Sequence, residues 1–139
     1  MISISLAARN AAGNAIVALL DAGTTNPNGF IEIRTGTKPA TPETSAVGDL
    51  LATLNFSNPA FGTFANGLAT ANTISPDTDV DMNGIAGWFR AYDRNGNAVF
   101  DGSITIKGGG GDLEFDLIDF LKAGTVQITN LTSTMPVSA

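Results

Sequence analysis

Apolar residues first recur at helical spacing. Ser5 stands where an N-cap would, Leu6, Ala12, Ile16, Leu19 and Leu20 follow at intervals of a helix turn, and Gly23 supplies a stop. The spacing predicts a helix over residues 5–22. Gly13 lies inside it and costs about 1 kcal/mol relative to alanine, so the helix needs a surface to pack on. Its alanines (Ala7, Ala8, Ala11, Ala12, Ala15, Ala18) permit close approach to a sheet or to a neighbouring subunit. The period then changes from helical to two. In "FIEIR", residues 30–34, Ile31 and Ile33 share one face, with Glu32 and Arg34 on the other.

Residues 35–49 carry two prolines and many small polar residues and read as a long loop. "LLATLNF" places Leu50, Ala52, Leu54 and Phe56 inward, a second loop carries Phe61 and Phe64, and residues 68–74 form a modest strand. The second half is clearer. "IAGWFRAY" (85–92) and "AVFDGSITI" (98–106) flank "DRNGN", whose Asn95-Gly96 step is a strong hairpin signal. "DLEFDLI" (112–118) alternates with Leu113, Phe115 and Leu117 inward, and residues 125–135 close the sheet with Val126 and Ile128. The expected fold is mainly β: a single domain over 1–139, with the helix followed by a β-sandwich of jelly-roll type across 30–135. It has about seven to eight antiparallel strands.

Composition narrows the function more than it identifies it. The 139-residue chain is 43% hydrophobic but only 14% charged, against roughly 25% in an ordinary soluble domain. A surface that poor in charge fits either a neutral β-domain or one partly hidden in an assembly. Net charge is −6, and the seven cations (Arg9, Arg34, Lys38, Arg90, Arg94, Lys107, Lys122) are scattered, which disfavours direct nucleic-acid binding and a polybasic membrane anchor. No apolar run approaches the ~18 residues of a membrane span. The N-terminus lacks the basic and apolar regions of a signal peptide and reads as mature sequence made in the cytoplasm.

With no cysteine and no histidine, disulfides, thiol and Ser-His-Asp nucleophiles and the common zinc sites are excluded, and no enzyme is expected. The glycine run "IKGGGGDLEF" does not make a phosphate loop. Lys107 precedes the glycines instead of following them, and a strand rather than a helix comes next. It reads as a flexible hairpin connection. "DTDVDMNG" spaces Asp77, Asp79 and Asp81 like a calcium loop, but Met82 and Trp88 occupy positions that need glycine and glutamate. A solvated acidic loop is expected there, a looser calcium site being the alternative. Asp101, Glu114 and Asp116 show no sign of converging as a glycosidase pair. Trp88 reads as core or subunit interface before a sugar platform. No cofactor is implied.

Four segments, "SLAARNAAGNAIVALLDAG", "IEIRTGTKPATP", "DLLATLNFSNPAFG" and "GIAGWFRAYDRNGNAVFDGSI", occur in that order. Together they resemble a family of small virion proteins of tailed bacteriophages and prophages. The resemblance weakens after Gly108 and rests on strands and turns. It implies a capsid cement, or decoration, protein on the outside of the shell. The implied partners are the major capsid protein and further copies of itself as a homodimer or homotrimer. Candidate contacts on that reading are Phe61 and Phe64, the 35–49 loop with Lys38 and Pro39, and the exposed side of the helix. A head-completion or tail protein, or a carbohydrate- or calcium-binding β-sandwich module, are the alternatives.

Overall fold

The computed structural model describes residues 1–138. It has one helix, α1 (Leu6–Ala18), extended by a 3-10 turn (Leu19–Asp21). Eight strands follow: β1 (Phe30–Thr35), β2 (Leu50–Asn55), β3 (Leu68–Thr70), β4 (Gly84–Tyr92), β5 (Ala98–Ile106), β6 (Leu113–Phe115), β7 (Asp119–Phe120) and β8 (Thr132–Thr134). The main sheet runs β2-β1-β4-β5-β6, with β7 on the first residues of β4, while β3 and β8 form a separate pair. The mainly β class with one N-terminal helix is therefore observed.

The alternation in β1 works as expected. Ile31 and Ile33 enter the core beside Leu54, Phe89, Ala91 and Ile104, each side chain of that size contributing about 1.5–3 kcal/mol by burial. In β2 a bulge shifts the register, so that Ile33 faces Ala52 but Arg34 faces Leu50. The extra residue, Leu51, is fully buried, and Leu50 is left only half-covered. The β4–β5 hairpin forms at Asn95-Gly96, where Gly96 takes φ +81.

Two expectations change in the second half. The 125–135 stretch keeps only Thr132–Thr134 as strand. The glycine run does not make a hairpin: Ile104, Thr105 and Ile106 pair in parallel with Leu113, Glu114 and Phe115, so the strands are not all antiparallel. A parallel return ordinarily takes a dozen or more residues. Here residues 107–112 suffice, because Gly108 and Gly110 adopt φ +87 and +82 and let the chain reverse twice. Gly109 N–H bonds the Ile106 carbonyl, Gly111 N–H bonds Thr105 Oγ1, and Asp112 accepts from both N–H and Oγ–H of Ser103.

The helix is seated through its polar residues. Arg9 donates twice to the Met135 carbonyl, and Asn10 and Asn14 accept from the N–H groups of Gly67 and Phe64. Asp21 accepts from Ala60 N–H, and burial raises its pKa above the ordinary carboxylate value against that bond. Gly13 faces inward, and the Phe64 ring lies flat against the space its side chain would occupy. Alanine there gains about 1 kcal/mol of helix propensity but overpacks a filled site at about 1–3 kcal/mol. Gly13→Ala is expected to lower the urea midpoint; an unchanged or higher midpoint would show that Phe64 does not need the gap.

Candidate interaction surfaces

The aromatic loop expected to face a partner faces the core instead. Phe61 and Phe64 are 5% and 3% exposed, packed with Phe56, Val17 and Ala69 beneath α1. They therefore provide no docking surface, and that expectation is corrected. A loop needs anchors when it must cover the end of a sheet, and these two rings serve as such anchors. Lys38 is exposed and Pro39 half-buried, so of the four residues expected at an interface these two remain at the surface.

Residues 36–49 lie as a strap over the second face of the main sheet. That face carries a row, Glu32, Arg90 and Asp101, aligned across β1, β4 and β5, and beside it Arg34 and Trp88. Arg90 makes a bidentate pair with Asp101 at 2.6 and 2.9 Å and donates to the Thr44 carbonyl at 2.8 Å, fixing the strap. Arg34 holds its far end through the Gly48 carbonyl. The hydrogen bond to Asp101 raises the Arg90 pKa further, and burial raises that of Tyr92. Trp88 is fully buried with the guanidinium 5.3 Å from its ring centre, so it is no exposed sugar platform.

The acidic motifs turn out to be clamps for backbone amides. Asp77 accepts from Thr53 N–H and from Asp79 N–H, which ties the 75–81 segment to the outer edge of β2. Among the described residues, no three carboxylates gather as a metal site. Of the carboxylates considered for sugar hydrolysis, Asp101 is bonded to Arg90 and Glu114 to Gly108 N–H; nearby Asp112 is bonded to Ser103. In the β4–β5 turn Asp93 accepts from Asn95 N–H, Asn97 N–H and the Asn97 amide. Burial pushes the Asp93 carboxyl up, but those bonds outweigh it and hold the pKa below the ordinary value.

The outer face of α1 is a continuous apolar feature at the surface. Ala7, Ala8, Ala11, Ala12, Ala15, Ile16, Ala18 and Leu19 are all exposed, and no polar or charged side chain interrupts them. The polar residues Arg9, Asn10 and Asn14 occupy the opposite, inward side, an inversion of the usual amphipathic arrangement. Leu6, Ile16 and Leu19 are 46%, 37% and 52% exposed. The helical wheel already separates the alanines from Arg9, Asn10 and Asn14; the assumption that apolar means inward hid the meaning. A second exposed group, Ile85, Leu117 and Leu121, surrounds the β4–β7 pair. No protein-family model, curated protein or solved structure matches the chain.

Two consequences can be measured. The Arg90 and Asp101 side chains are each 4% exposed, and removing one partner strands a buried charge at about 3–5 kcal/mol. Asp101→Ala is expected to lose that stability and to shift Trp88 emission to the red as the strap loosens; full stability would show the pair is dispensable. For Asp93, whose folded pKa is depressed, the bonds contribute fully above the unfolded value of about 3.9 and fade as pH falls through the lower folded value. Asp93→Ala is expected to be about 1–3 kcal/mol less stable than the parent at pH 7, with the difference shrinking in denaturant melts toward pH 2.

Proposed function

We propose that the chain is a structural virion protein of a tailed bacteriophage, a cement protein that binds the outside of the capsid shell. The observation carrying the assembly part of this reading is the uninterrupted apolar outer face of α1. A monomer exposing such a face gains by covering it, at about 25 cal/mol per Å² of apolar surface removed from water. Low charge density agrees with a molecule whose faces are covered when it works. An acidic clip suits the shell exterior, since packaged DNA would repel it inside. The capsid as partner rests on the resemblance of the four sequence segments, and a finer jelly-roll assignment belongs to the same reading.

A clip of this kind stabilises a shell by mass action, because it binds only the assembled lattice and spans several subunits at once. Sedimentation of the purified protein with empty capsids of its own phage is the test. Binding at a fixed stoichiometry of hundreds per shell is expected, and Ala11→Glu with Ala15→Glu should abolish it without lowering the thermal midpoint. A monomer that leaves shells bare would overturn the reading, and a single ring of copies would reassign it to a head-completion or tail role.

A further inference from the structure

The two edges of the main sheet are treated differently. The outer edge of β2 is closed: the Leu51 and Asn55 carbonyls accept from Asp81 and Ser75 N–H, and Thr53 N–H is taken by Asp77. The outer edge of β6 is open. Phe115 turns its carbonyl to Lys107 N–H on the β5 side, so strand alternation turns the N–H and C=O of Glu114 away from the sheet. Beyond that edge is a cleft of about 660 Å³, walled by residues 113–116 on one side and 127–130 on the other.

The far wall is equally unusual. Val126, Ile128 and Leu131 are buried in the common core and hold residues 127–130 in place. Asp77 and Val126 exchange hydrogen bonds on one side of this stretch, and the Leu131 carbonyl accepts from Ala71 N–H on the other. Between them, the backbone groups of Gln127, Ile128, Thr129 and Asn130 bond no described residue. The backbone groups of Glu114 on one wall and of residues 127–130 on the other are thus unpaired beside the same cleft. Unpaired edges of this kind are templates for an added strand.

We propose that this cleft receives an extended segment of a partner chain, which pairs with β6 and with residues 127–130 and so bridges the sheet edge to the far wall. The segment is basic. Asp112, Glu114 and Asp116 line the cleft against the single cation Lys107, in a chain of net charge −6. A second copy is a poor source among the described residues. Its first residues are tied down by the Ser3–Ser138 bridge and the Ile4–Val137 hydrogen bond, and its Lys38 strap is held by Arg90 and Arg34. Strand addition takes its affinity from main-chain bonds and its selectivity from alternate side chains. The inference stands on the cleft, and within the cement reading it describes the segment the shell would offer.

The probe is an eight-residue peptide alternating lysine and valine, compared with its glutamate–valine counterpart and with a version N-methylated at alternate amides. Hydrogen exchange on the full chain should show the lysine peptide protecting the amides of Glu114 and of residues 127–130. The glutamate and N-methylated peptides should bind at least tenfold more weakly. Asp116, whose carboxylate holds no described residue, gives the variant Asp116→Lys, expected to weaken the lysine peptide about tenfold while the thermal midpoint and Trp88 emission stay unchanged. Protection elsewhere, or equal binding by the N-methylated peptide, would overturn strand addition. Equal binding of the two charged peptides would overturn the basic assignment, and protection of the same amides on self-association without peptide would make a second copy the occupant. No capsid enters this experiment, so it can fail while the protein still binds shells, or succeed where shell binding fails.

Discussion

An amide withdrawn from water has to find an acceptor, and in this chain the acceptor is repeatedly an Asn or Asp side chain. Asn10, Asn14 and Asp21 reach from the helix into the 60–67 loop, Asp77 reaches onto β2, and Asn83 takes the N–H of Lys122. Asn95 accepts from both Thr24 and Thr25, and Asp112 from Ser103. Much of the molecule is irregular backbone, with no ladder to satisfy it. These short side chains do what strand pairing does elsewhere, each at about 1 kcal/mol, somewhat more for the ionised ones.

The same constraint accounts for the spacing of the two acidic motifs. A carboxylate that clamps two amides in a turn needs the close spacing of polar residues seen at 77–81 and 93–97, and so does a calcium loop. Spacing alone does not distinguish them; the direction in which the oxygens point does. Here the carboxylates of Asp77 and Asp93 point at backbone amides. Arg90 extends the principle to the strap, because one guanidinium serves Asp101 and the Thr44 carbonyl together while lying against Trp88. Sheet and strap are thereby a single unit.

What could be read along the chain was whatever depends on neighbours in sequence. The helix, the alternation in β1 and the Asn95-Gly96 hairpin all follow from local pattern. The parallel β5–β6 pair did not, since nothing in four glycines says whether a strand returns antiparallel or doubles back twice. Leu51 was missed because a bulge puts two successive residues into the core. Phe61 and Phe64 were misplaced because an aromatic in a loop looks alike whether it anchors inward or projects outward. The open edge of β6 is a property of strand order, which no single stretch of sequence contains.

Arg9 grips the carbonyl of Met135 across 126 residues of chain, and Ser3 bridges Ser138. The helix therefore completes its seat only when chain 126 residues away has folded back onto it. Until then Arg9 lacks its carbonyl acceptor, while the alanine side is exposed before and after. Contacts between the two ends of a chain are slow to form, since the whole loop must close before they repay it. The bond between Arg9 and Met135 is thus a long-range contact, expected to form after the helix and the Asn95-Gly96 hairpin, so that the seating of the helix comes late in the folding of the domain.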